Sequence, residues 1–158
     1  MKLELKHIAS HLPYNLQFKI FGQIRLYNWG ANVENVMSLI DYGKPILHPL
    51  SDLIKEIEIN GEWFVPIEKL FDIETECNWS CSDYTVLNSN QNEYWVSIKD
   101  VPSNAFGYNA NENYFYYTSN ECPRIVTKQL ELFQKLYEWH FDVDNLIENE
   151  LAIDINTL

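Results

Sequence analysis

Ile57-Glu58-Ile59-Asn60-Gly61-Glu62-Trp63-Phe64-Val65-Pro66 admits two readings, and the choice between them decides the fold. Ser51 is a good N-cap, so a helix opening at Asp52 could run on through Leu53 to Ile59. Asn60-Gly61 favours the other reading. Both residues tolerate the positive φ of a type I′ turn, so Ile57 to Ile59 becomes a strand and Glu62 to Val65 its return. Pro66, which lacks an N–H and has a fixed φ, then suits the first position of a short helix over Ile67 to Phe71. A hairpin running straight into a helix makes the chain α+β.

Upstream, the same alternation of elements holds. Leu5 to Leu12 reads as a short helix stopped by Pro13. Leu16 to Ile20 alternates as a half-buried strand, and Ile24 to Trp29 alternates again after Gly22. A hairpin is the simplest connection, although Phe21-Gly22-Gln23 lacks strong hairpin-turn chemistry. Val33, Val36, Met37 and Ile40 recur at helical spacing within Asn32 to Ile40, and Gly43 ends that helix. Lys44 to Leu50, with prolines at 45 and 49, is extended.

Downstream, Tyr84 to Leu87 and Tyr94 to Ile98 form two strands around the polar turn Asn88 to Asn92. Pro102 to Asn113, with Gly107 and four Asn, reads as a long loop. Tyr114 to Thr118 has strand composition without alternation. The clearest element is a helix capped by Thr127 and running to about Phe141. Leu132, Phe133, Leu136, Trp139, His140 and Val143 share its apolar face. Val143 to Asn149 is expected to add a second short helix, and Leu151 to Asn156 a closing strand. No repeat and no linker interrupts the chain, so residues 1–158 are expected to form a single α+β domain with antiparallel hairpins and a packed C-terminal helix.

Composition limits function. Of 158 residues, 46% are hydrophobic and 15% aromatic, which is too apolar for a disordered chain. The formal charge is −12, from 11 Lys+Arg and 23 Asp+Glu. That balance argues against a nucleic-acid or anionic-membrane surface, because such binding draws on Lys and Arg. No apolar run approaches the roughly 20 residues that span a bilayer. The opening Met1 to His7 is broken by charge and does not read as a signal peptide. Three Cys argue against a disulfide scaffold, and a soluble protein of a reducing cytoplasm is expected. The acid is uneven: residues 71–158 hold 15 acidic and 4 basic groups, residues 1–70 hold 8 and 7. Such asymmetry marks either a partner-facing surface or a solvated face.

Catalytic motifs are absent. The five glycines are scattered, which excludes phosphate-cradling loops, and there is no nucleophile elbow or His-Glu-x-x-His pair. Cys77 and Cys81 have zinc-ligand spacing, with Cys122 and His140 as further donors, but one unmatched pair is weak and no metal or other cofactor is expected. Asp142 to Glu150 fails the EF-hand template, because Leu146, Ile147 and Ile153 stand where a ligand, a Gly and a Glu are needed. Glu138, His140 and Asp142 do not converge on a helix, so His140 is expected to be a core histidine bonded to a backbone carbonyl. The sequon Asn78-Trp-Ser80 is a chance match. Trp95, Tyr108 and Tyr114 to Tyr117 make an aromatic candidate surface.

Residues Gln134 to Val143, Leu146-Ile-Glu148 and Leu151 to Leu158 resemble a family of small phage- and prophage-encoded proteins of gut anaerobes. So do Lys44 to Leu53, Asn60-Gly-Glu62 with Phe64 to Ile67, and Leu5 to Ile8 with Leu12-Pro-Tyr14. The resemblance covers about half of the chain and leaves out residues 72–122. The family commonly has Phe-Gly at Asp144-Asn145 and Lys-Gly at Asn149-Glu150, so this tail is more acidic than usual. It implies a phage accessory protein and brings no catalytic residues.

The expectation is therefore a non-enzymatic protein that binds a basic partner protein, without nucleic acid or membrane. Its contact residues are expected among Asp142, Asp144, Glu148, Glu150, Trp95, Tyr108 and Tyr116. Two alternatives belong to other classes. One is a small metal-dependent or hydrolytic enzyme using His48, His140 and nearby acids, and the other an acidic mimic of DNA.

Overall fold

The computed structural model describes residues 2–27, 33–77 and 85–158. The ends of two expected strands at Trp29 and Tyr84, the start of a helix at Asn32, Cys81 and the sequon lie outside the described residues. In chain order the elements are α1 (Leu5–Ile8), β1 (Gln17–Ile20), β2 (Gln23–Leu26), α2 (Val33–Tyr42), β3 (Gly43–Leu47), β4 (Ile57–Ile59) and β5 (Glu62–Phe64). There follow α3 (Pro66–Thr75), β6 (Thr85–Asn90), β7 (Glu93–Ile98), β8 (Val101–Asn109), β9 (Tyr114–Ser119), β10 (Cys122–Arg124), α4 (Gln129–Glu138) and β11 (Ile153–Asp154). The class is α+β, with antiparallel sheets and a C-terminal helix. The chain packs as two compact units: Met1–Pro49 with Leu136–Leu158, and Leu50–Lys135.

The first unit holds a four-stranded sheet in the order β11-β3-β1-β2. All pairs are antiparallel except β3 with β11. Leu16 and Phe18 of the first hairpin are fully buried with Ile8, Leu47 and Leu146. Pro45 stands in the middle of this sheet without breaking it. It faces Phe18, which turns its own backbone groups to β2, so the missing N–H points toward β11. β11 begins pairing only at Ile46. The first helix stops at Ile8, and a 3₁₀ turn, Leu12–Tyr14, carries Pro13.

The second unit holds the β4–β5 hairpin and a five-stranded meander, β10-β9-β8-β7-β6. Asn60 and Gly61 take φ of 54° and 85°, as the type I′ reading requires. Pro66 opens α3 at its first turn, and the helix runs to Thr75, past the expected end at Phe71. The expected loop over Pro102 to Asn113 is instead largely β8, the central strand. Its Asn, Pro and Gly content argued for a loop. Pairing along both edges and burial of Phe106 and Tyr108 outweigh those local preferences. Only the turn after Asn109 matches the composition, and there the Asn109 side chain accepts N–H bonds from Asn111 and Glu112, both 3.0 Å. Phe71 stacks on Phe106 at 5.4 Å, and Phe133 meets Phe115 edge-on at 5.3 Å.

α4 is shorter than its periodicity suggests; its start is set by a distant residue and its end by a local turn. At its start, the Glu74 carboxylate accepts the N–H groups of Thr127 and Lys128 at 2.9 and 3.0 Å, a capping role expected of Thr127 itself. At its end, His140 turns to φ 57°. The Phe141 N–H then bonds the Leu136 carbonyl at 2.9 Å and the His140 N–H the Tyr137 carbonyl at 3.1 Å, a Schellman closure. Past it, Phe141 pairs with His48 in parallel. The expected helix over Val143 to Asn149 is a series of turns. The Asp142 carboxylate holds the N–H groups of Leu146 and Ile147 at 2.7 and 2.8 Å, and Asn145 and Glu150 take positive φ.

Candidate protein-contact site

The β1–β2 hairpin is built from two alternating strands that are out of phase. Hydrogen-bonded pairing puts Phe18 opposite Arg25 and Lys19 opposite Ile24. Residues directly opposite share a face. β1 directs Leu16, Phe18 and Ile20 into the core, so β2 must direct Arg25 to that side and Ile24 and Leu26 to the other. Ile24 is 53% exposed and Leu26 58%. Their row continues through Lys19 to Lys44, like charges directly opposite across β1 and β3. Neither lysine forms an ion pair among the described residues.

The turn joining these strands is unusual. Phe21 and Gly22 take φ of 47° and 81°, the left-handed pair of a type I′ turn. Asn or Gly normally fills the first of these places, because the left-handed conformation costs other residues roughly 1–2 kcal/mol, a cost that Gly avoids and Asn offsets by local hydrogen bonding. Phe21 accepts that strain and stays 87% exposed, its ring tilted against that of Tyr42 at a centroid distance of 6.2 Å. Burial does not compensate the strain.

The residues expected from sequence fall into three groups. Trp95 and Tyr116 share the outer face of the second unit's sheet, on either side of Gly107. Tyr116 covers that glycine so closely that a Cβ there would lie 2.5 Å from its ring. Burial, then Glu93 and Tyr114, push the Tyr116 hydroxyl up to about 12. Asn109 beside them donates to Glu93 at 2.8 Å. Tyr108 is on the opposite face with no exposed surface, because the strand alternates, and is removed from the contact set. Of the acids, Asp144, Glu148 and Glu150 are exposed. Asp142 is buried as the cap described above and is likewise removed from the contact set. Burial raises its carboxyl above the ordinary range despite two N–H donors that lower it.

The histidines form a buried cluster in the first unit. His11 and His140 rings lie 5.7 Å apart. His11 Nδ1 donates to the Tyr137 carbonyl at 3.2 Å, and His140 Nε2 to the Tyr14 carbonyl at 3.0 Å, the carbonyl bond expected for His140. The remaining ring nitrogen of His140 is buried without a partner. Burial holds both imidazoles down to about 4. They are neutral core groups, and no carboxylate accompanies them in their hydrogen bonds. Cys77 and Cys122 are exposed free thiols, and among the described residues no group of three His, Cys, Asp or Glu is placed to hold a metal ion. No described helix is long and apolar enough to cross a membrane.

Sequence reading placed the hairpin, as the β1–β2 pairing bears out, but did not include Phe21, Ile24 or Leu26 among the candidate contact residues. Their signal was present in Phe21 before Gly22, and in two adjoining strands whose apolar positions cannot share one face. Comparison of the chain with protein-family models, with curated proteins and with solved structures found no match.

Proposed function

We propose that this is a non-enzymatic accessory protein that works by binding another protein through the β1–β2 hairpin. The observation that carries the reading is Phe21, a large aromatic held in a left-handed turn and left in solvent. Uncompensated strain of this kind gathers at functional sites. Ile24 and Leu26 extend the apolar surface along the strand, and scattered exposed apolar residues would not align in this way. The resemblance to phage and prophage proteins supports an accessory role in an infected or lysogenic host cell. The exposed acids Asp144, Glu148 and Glu150 supply a separate charged surface suited to a basic protein.

The test is Phe21→Asn. Asn accepts the left-handed conformation, so the variant gains about 1 kcal/mol of stability. Affinity capture from host cells, with wild type and variant compared side by side, then recovers a partner on the wild type alone. A partner retained equally by the stabilised variant overturns the assignment of the hairpin.

A further inference from the structure

The edge of β2 is open. It is the last strand of its sheet, and no described strand pairs with its outer side. The Tyr27 N–H bonds the Leu16 carbonyl at 2.9 Å, which sets the phase of the hairpin ladder. Gln23, Arg25 and Tyr27 therefore turn their backbone groups to β1. Ile24 and Leu26 turn theirs outward. Two N–H groups and two carbonyls thus lie along the edge, flanked by exposed apolar side chains. Exposed edges of this kind accept added strands, and proteins commonly guard them with charge.

The edge strand and its two neighbours are basic in an otherwise acidic chain. β1, β2 and β3 carry Lys19, Arg25 and Lys44 and no acidic side chain. Arg25 stands between Ile24 and Leu26 on one face, and Lys19 and Lys44 lie in the row of Ile24 on the other. A second copy of the chain is a poor occupant. Antiparallel pairing of β2 with itself about Arg25 places Arg25 opposite Arg25, and like charges directly opposite are destabilising; pairing about Ile24 places Arg25 opposite Gln23, and neither register offers Arg25 an acid.

We propose that the free edge of β2 takes up an acidic strand of the partner protein, antiparallel, with the pattern apolar-acid-apolar. The two apolar residues lie opposite Ile24 and Leu26, in the hydrogen-bonded positions. The acid lies opposite Arg25, in the non-hydrogen-bonded position where facing side chains come closest. This rests on the hairpin being the contact surface and adds the chemistry and backbone geometry of what it contacts.

The experiment uses the full chain labelled with ¹⁵N and two capped probes, Thr-Thr-Ile-Glu-Ile-Thr-Thr and the same peptide with Lys in place of Glu. The acidic probe protects the Ile24 and Leu26 amides from hydrogen exchange. It binds about tenfold more tightly than the basic one, as one attractive against one repulsive cross-strand pair implies. Arg25→Glu reverses the preference, and Arg25→Gln, which keeps the fold if the charge reversal does not, removes it. Equal affinity of the wild type for both probes overturns the acidic partner. Absence of protection at Ile24 and Leu26 overturns strand addition, even where Phe21→Asn still abolishes partner capture and the hairpin reading stands. A partner that ignores Phe21→Asn while the acidic probe still protects the edge overturns the hairpin as the partner's site, and with it the acidic strand as the partner's.

Discussion

Mild acid should destabilise the first unit through His11 and His140, and the size of the effect follows from their burial. Each imidazole is held at about 4 in the folded chain, against 6.5 when free. The unfolded chain therefore binds protons that the folded chain refuses, and stability falls as pH drops below 6.5 toward 4. With 1.36 kcal/mol for each pH unit between the two values, about 3 kcal/mol per histidine is at stake when protonation is complete. Between pH 7 and pH 5.5 the same relation gives about 1.2 kcal/mol for each, or roughly 2.5 kcal/mol together. The structural cause is specific. Protonating His140 adds a donor at a buried nitrogen with no acceptor, and protonating both places two cations 5.7 Å apart. His48 repels a charged His140 further, while the Tyr137 and Tyr14 carbonyls attract protons only weakly against burial. Asp142 and Asp144 act in the opposite sense, because their folded carboxyls titrate above their free values and gain stability as pH falls. A double variant lacking both histidines keeps both carboxyls, so its slope over the same window reports their share. Urea unfolding followed at the amide signals of Phe18 and Leu47 measures the slope, and the double variant His11→Asn, His140→Asn is the control. A double variant whose stability falls as steeply as the wild type between pH 7 and pH 5.5 would refute the reasoning.

Three further outcomes are expected. Leu136→Ala removes a fully buried side chain and costs about 2–5 kcal/mol, read as a lowered denaturation midpoint; an unchanged midpoint would take this residue out of the core. Asp142→Ala strands the Leu146 and Ile147 N–H groups and costs about 2 kcal/mol or more, with the loss concentrated in amide exchange over residues 143–152. Reversing Asp144, Glu148 and Glu150 to Lys leaves thermal stability nearly unchanged and slows association with a basic partner, in a way that high salt also does; association that ignores both shows that these acids serve solubility alone.

Periodicity and turn chemistry carried the local structure. Asn60-Gly61 made a hairpin, Pro66 opened a helix, and the apolar stripe through Leu132 and Leu136 marked α4, because each is a preference of neighbouring residues for one backbone shape. The candidate site was less legible. Trp95 and Tyr116 lie on strands as read, yet Tyr108, chosen as an aromatic in an expected loop, and Asp142, chosen for its charge, are interior. Alternation shows which residues share a face, and only packing decides which face is covered.

That division explains what remained for the tertiary structure. Sequence alone determined an acidic α+β chain of hairpins with an amphipathic helix near its end. Tertiary contacts turned the Asn-rich stretch around Gly107 into a central strand, since pairing on two edges outweighs the turn preference of single residues. They capped α4 with Glu74, across more than fifty residues of chain. They also chose between the two out-of-phase strands of the first hairpin. Phe18 and Ile20 face the first unit's core, so Ile24 and Leu26 had to face solvent; that choice, a property of the packed sheet and of neither strand alone, leaves exposed apolar side chains along the β2 edge.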